Sequence, residues 1–157
     1  MIQDRDVALF AELDQAELEK VQAIAERRQC STGDIILKQG MPADAVFVIL
    51  EGEVRVTAIM AEEDESLGRE EEVLVRLKPG EFFGELSFVD GTRPSLSVIA
   101  EEGAQLLALP HGSLRELLES DARLCRKLLF AMMRTLAARL RDTDRELVLS
   151  RYFIRGS

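Results

Sequence analysis

Apolar and polar positions follow two different periods along this chain, and the switches between them divide it into three parts. In DVALFAELDQAELEKVQAIAERR the side chains Leu9, Phe10, Leu13, Leu18, Val21, Ile24 and Ala25 fall mostly three or four apart, the spacing of one helix face. Asp14 followed by Glu17 has the form of a capping box, in which each side chain serves the other's free backbone N–H. Helices are therefore expected over residues 6–28. From residue 29 to 110 the pattern changes. Glycines punctuate short apolar runs, and Val54, Val56 and Ala58 alternate with Arg55 and Thr57, which is the period of a strand. AVFVIL is continuous, as suits a strand covered on both faces. After Pro110 the helical period returns. Leu114, Leu117 and Leu118 mark a short helix, and Ser120 reads as the N-cap of the next one.

That last helix carries Leu124, Leu128, Met132, Leu136 and Leu140 at steps of four. Running to about Leu149, it would be about 45 Å long at about 1.5 Å per residue. One β domain does not cover that length. The stripe Leu124, Leu128, Met132 and Leu136 is therefore expected to lie partly across a two-fold interface with a second copy, giving a homodimer, the alternative being that the whole stripe packs on the chain's own β domain. The whole pattern predicts an α+β domain over residues 1–157: N-terminal helices at 6–28, a sandwich, barrel or jelly roll of antiparallel strands at 29–110, and C-terminal helices at 111–150.

Composition narrows the class. The chain has 157 residues, which suits one domain with one adequate core. The N-terminus has no secretory pattern and no run is long enough to cross a membrane, so a cytoplasmic location is expected, with Cys30 and Cys125 reduced. The formal charge is −9, but residues 62–72 hold seven acids and one base. The acidity is therefore concentrated between two strands, in an extended hairpin. A solvated, mobile tip is expected there, with a docking site for a basic protein partner as the alternative. Nucleic-acid binding is disfavoured by the overall sign. Arg134, Arg139, Arg141, Arg145, Arg151 and Arg155 make the tail locally basic and read as a solvated helix face, the alternative being contact with a neighbour's acidic hairpin.

The chemical inventory argues against an enzyme. The one histidine, His111, cannot supply the several imidazoles of a metal-binding barrel, so no metal is expected. No phosphate-binding P-loop and no GxGxxG appears. Gly84-Glu85-Leu86-Ser87 is different. A glycine leading from a strand into a helical turn directs several backbone N–H groups at one point, which suits an anion. Glu85 is placed to accept hydrogen bonds from sugar hydroxyls, and Ser95 and Ser97 offer further hydroxyls nearby.

The order of helix, glycine-punctuated strands, FFGELSFVDGTRPSLSV and a long terminal helix resembles the cyclic nucleotide-binding domain family, of the catabolite activator and protein kinase A regulatory subunit type. Gly33-Asp34, Lys38-Gln39-Gly40, Phe47 to Val54 and Pro79-Gly80-Glu81 add to the match, which covers nearly the whole chain. The resemblance implies an eight-stranded antiparallel jelly roll (a double-stranded β-helix), a regulatory role, and cyclic AMP or cyclic GMP as the ligand class, with no cofactor required.

In that family the phosphate cassette reads roughly F-G-E-L-A-L, a short loop, then P-R-A-A-T-V. Phe83, Gly84, Glu85, Leu86 and Val98 match, but the arginine that clamps the phosphate falls on Pro94 and the preceding proline on Arg93. A residue before proline is pushed towards extended geometry, where neighbours point to opposite faces. Arg93 is therefore a poor substitute, and Glu85 is expected to have no guanidinium opposite it. Weak or absent cyclic nucleotide binding follows, the alternative being a ligand-free scaffold that dimerises through its last helix. Only seven residues follow Ser150, too few for the helix-turn-helix domain of the transcription-factor branch, so DNA binding on that plan is not expected.

Overall fold

The computed structural model describes residues 6–60 and 70–156. A 3-10 turn at Ala8–Phe10 and helix α1 (Gln15–Ile24) precede eight strands. These are β1 (Glu26–Cys30), β2 (Ile35–Leu37), β3 (Ala45–Glu51), β4 (Val54–Met60), β5 (Glu70–Leu77), β6 (Phe82–Phe83), β7 (Ser97–Ala100) and β8 (Ala104–Pro110). Helix α2 (Glu85–Asp90) lies between β6 and β7, and α3 (His111–Ser120) and α4 (Ala122–Arg155) end the chain. The strands form two four-stranded sheets, ordered β1-β8-β3-β6 and β2-β7-β4-β5, with every pairing antiparallel. Among the described residues this is the strand set of a jelly roll, in two sheets that do not close into a barrel.

Strand β3 shows why AVFVIL is continuously apolar. Ala45, Phe47 and Ile49 enter the core between the sheets, while Val46 and Val48 enter a second core beneath the helices. Strand β6 divides in the same way: Phe83 goes inward, stacked on Phe47 with ring centroids 5.2 Å apart, and Phe82 goes to the helical side. The sheet β1-β8-β3-β6 is thus sandwiched, and its strands carry apolar residues on both faces.

Three details depart from expectation. The first helix stops at Ile24, and Glu26, Arg27 and Arg28 pair with Ala108, Leu107 and Leu106 instead. Ladder hydrogen bonds to β8 outweigh the helical propensity of ERR. The N-cap of α4 is Asp121, which accepts from Leu124 N–H at 3.0 Å, while Ser120 closes α3 by donating to Leu117 C=O. The third concerns the α4 stripe. Leu124, Leu128 and Met132 lie in the chain's own core against Val7, Leu9, Phe10 and Phe82, so they are not available to a partner, and Leu136 is half-buried. At about 100° per residue a step of four turns by about 40° beyond a full circle. A stripe of such steps therefore winds around the helix, and by Leu140 it has left the core face.

The capping box of α1 forms as the sequence implies, with Glu17 N–H donating to Asp14 at 2.8 Å and Asp14 N–H donating to Glu17 at 3.0 Å. Ion pairs then tie this end to α4: Glu17 with Lys127, Lys20 with Asp121, and Glu12 with Arg134. Most of the acidic tip, residues 61–69, lies outside the described residues. At its base β4 and β5 stay paired as far as Met60 and Glu70, and Glu71 receives a hydrogen bond from Arg55 at 2.7 Å. Among the described residues no helix is long and apolar enough to cross a membrane.

Candidate functional site

The turn from β6 into α2 is set by Gly84. Its φ is +87°, and a Cβ there would lie 2.8 Å from the carbonyl oxygen of Ala45. Only glycine satisfies both conditions, because other residues pay for positive φ and no methyl fits against that oxygen. The turn buries Glu85, which is 2% exposed. Leu86, in contrast, is 53% exposed, and Ser87 is half-buried with its carbonyl taken by Gly91 N–H.

A guanidinium does face Glu85, contrary to expectation. Arg139 of α4 donates from Nη1 to Glu85 Oε1 at 2.8 Å and from Nη2 to the Phe82 carbonyl at 2.5 Å. Its cation also lies over the Phe82 ring, 5.6 Å from the centroid. Burial pushes the Glu85 carboxyl above its ordinary range, and Arg139 and the residue's own backbone N–H pull in the opposite direction. In the sequence Arg139 reads as part of a solvated helix face. It stands 54 residues from Glu85, and no local pattern links the two.

At the other end of the segment the polar groups are occupied by a neighbouring turn. Arg93 is exposed and donates from Nη1 to Gly40 C=O at 3.1 Å, while Gly40 N–H donates to Pro94 C=O at 2.9 Å. Ser97 is buried, and its Oγ accepts from Gln39 N–H at 2.9 Å. Gln39 in turn accepts from Ile59 N–H through its side chain. Ser97 pairs with Thr57, one step along from the Val98–Val56 pair that packs between the sheets. Alternation along a strand places Ser97 and Thr57 on the opposite face, beneath this turn. The hydroxyl of Ser97 is therefore structural, which corrects its expected place among the ligand-facing groups. Ser95 is exposed.

His111 sits behind the cassette. Its backbone N–H donates to Asp44 C=O at 2.8 Å, and its ring is tilted against Phe88 of α2 at 5.4 Å. Arg115, one turn further on, donates to Phe88 C=O at 3.0 Å and lies over the same ring. Two side chains of α3 thus hold the far end of α2.

A glycine-led cassette helix set on a two-sheet roll, with a helix before the strands and two after, defines a class, and the comparisons agree with it. Residues 27–121 match the cyclic nucleotide-binding domain, and this chain belongs to that family. It is 33% identical over 144 residues to the cyclic AMP receptor protein of Thermus thermophilus, covering 90% of this chain and 61% of that protein. It is 33% identical over 99 residues to a cAMP-dependent protein kinase regulatory subunit of Mycosarcoma maydis, covering 63% of this chain and 17% of the other. The structure is similar to that of the Thermus thermophilus catabolite activator protein, with a TM-score of 0.74, 32% identity, and coverage of 90% and 62%. The chain spans less than two thirds of the length of these curated relatives.

Proposed function

We propose that this domain is a non-enzymatic regulatory module whose cassette takes ligands of the cyclic nucleotide class weakly, and whose long helix reports the state of the cassette. The observation that carries this reading is the pair Glu85–Arg139, which joins the cassette to α4. A sugar hydroxyl that reaches Glu85 competes with Arg139 or reorients it, so filling the cassette acts on the helix directly. Binding is weak because Pro94 stands where the family's cassette carries its phosphate arginine, and Arg93 is engaged with Gly40 instead. Calorimetric titration of the protein with cyclic AMP and cyclic GMP tests this. Dissociation constants well above the low micromolar range are expected, and tight binding of either nucleotide overturns the reading.

A second reading, a scaffold that dimerises through α4, is favoured by the helix's bare face. Met133, Leu140 and Leu147 recur at steps of seven and are 51%, 62% and 48% exposed, with the half-buried Leu136 between the first two. A repeat of seven drifts only about 20° per step, so it keeps one seam facing a partner. The two-fold pairing of this seam replaces the pairing expected of Leu124, Leu128 and Met132. Sedimentation of the wild type as a dimer, and of Leu140→Glu with Leu147→Glu as a folded monomer, is the expected result. A monomeric wild type at micromolar concentration contradicts it.

A further inference from the structure

The fold leaves one strand edge and one helix end bare, and their chemistries match. Strand β5 ends the order β2-β7-β4-β5 and pairs only with β4 among the described residues. A free edge presents unpaired backbone groups, which folded proteins commonly cover with another element. Along this edge the exposed residues change character in order: Glu71 and Glu72 come first, then Val73, Leu74 and Val75, which are 36%, 47% and 47% exposed. Val75 pairs with Val56 and Val73 with Thr57, which leaves Leu74 as an extra residue. That bulge breaks the regular ladder, so an added strand pairs poorly there and a helix packing through side chains suits the edge better.

The end of α4 carries the complementary order. Every residue from Leu140 to Arg155 is exposed. At about 100° per residue, Arg141, Arg145, Val148 and Tyr152 fall within about 60° of one another, and Val148 and Tyr152 are 67% and 74% exposed. This stripe lies about 110° round the helix from Met133, Leu140 and Leu147, so a pairing of two helices through that seam leaves it uncovered. Asp142 and Glu146 lie at least about 100° from Arg141, while Asp144 flanks the stripe. The contact from Arg145 to Asp142 is 3.6 Å long between two well-exposed side chains, which neutralises Arg145 little.

We propose that the end of α4 covers the β5 edge of a second copy, with the two elements running parallel. Arg141 and Arg145 then meet Glu71 and Glu72, and Val148 and Tyr152 meet Val73, Leu74 and Val75. The lengths agree: Arg141 to Tyr152 spans about 17 Å of helix, and Glu71 to Val75 about 13 Å of strand. The opposite direction would set arginines on valines and apolar side chains on carboxylates, so the charge order fixes the orientation. Glu71 already accepts from Arg55 at 2.7 Å, whereas Glu72 has no ion pair among the described residues. Both surfaces are exposed in the single chain, and one chain carries both halves of the match. Two copies that exchange them satisfy both contacts about one two-fold axis. The contact needs neither a filled cassette nor the leucine seam of α4.

Cross-linking between two marked copies tests this. Protein carrying Leu74→Cys is mixed with a size-tagged protein carrying Val148→Cys and mildly oxidised, so that a link from 74 to 148 can only join different copies. Peptide mapping separates that link from any made through Cys30 or Cys125. The 74–148 link is expected to dominate the products. Adding Arg141→Glu and Arg145→Glu to the tagged copy should lower its yield about tenfold, because like charges then face each other. Adding Glu71→Lys and Glu72→Lys to the other copy should restore it, a rescue that general damage to either surface would not give. A mixture that yields no 74–148 link, or only 148–148 links through paired helices, overturns the proposal. So does a yield that the arginine changes leave unaltered, and a partner other than this chain would then cover the edge.

Discussion

The two ends of the segment from Phe82 to Val98 are built on different principles. At the start, Gly84 is fixed by backbone geometry and Glu85 by burial, and a distant helix supplies the arginine that balances the carboxylate. At the finish, Arg93, Pro94 and Ser97 give their polar groups to the turn around Gln39 and Gly40. The first end is held by steric necessity at Gly84 and by burial at Glu85. The second has turned comparable groups into internal scaffolding. Different forces therefore hold the two ends of this segment.

Breaking the first end should have the largest effect on stability. Arg139→Ala leaves Glu85 buried without its partner. Losing one member of a fully buried pair costs about 3–5 kcal/mol, and the partial exposure of Arg139 reduces that to about 1–3 kcal/mol. The loss should depend on pH in a defined direction. Glu85 has a raised carboxyl value in the folded protein, so its burial destabilises above that value and the penalty fades as pH falls and the group takes up a proton. Urea melts at neutral and mildly acidic pH, compared as mutant minus wild type, should show the difference shrinking with acid. A difference that is constant or grows would contradict the assigned ion pair.

Gly84→Ala should cost at least about 1–2 kcal/mol from the positive φ alone, with the Ala45 carbonyl contact at 2.8 Å adding to it. Thermal melts measure this directly, and a neutral effect would mean that the turn is looser than described. At the second end, Ser97→Ala should cost about 1 kcal/mol, because it leaves Gln39 N–H without its acceptor. It should not change nucleotide affinity. A larger effect on binding than on stability would return Ser97 to the ligand pocket.

How much of this was legible in the sequence follows the range of the forces involved. The switch of period located the strands, since both faces of β3 and β8 pack, and the capping box of α1 was readable because Asp14 and Glu17 are local partners. The glycine turn at Gly84 was legible for the same reason. Arg139 was not, because an arginine on a helix looks the same whether it meets water or a buried carboxylate. The α4 stripe misled for a geometric reason: steps of four appear straight in sequence but wind around a helix. Ser97 was misread because strand alternation, counted from Val98, had to be combined with the position of the Lys38–Gln39–Gly40 turn, which only the fold reveals.

The central proposal is that the fold is intact and one clamp is missing, and restoring the clamp tests it most directly. The double change Arg93→Pro with Pro94→Arg gives the order that the resemblance to the family implies for the cassette. A partly buried, charge-assisted contact to an anion is worth about 2–5 kcal/mol, which is an affinity gain of about 30- to 4,000-fold. Calorimetric titration of the wild type and the double variant with cyclic AMP and cyclic GMP should show that gain for at least one nucleotide. Low micromolar binding by the wild type, or an unchanged affinity in a folded double variant, would contradict the account.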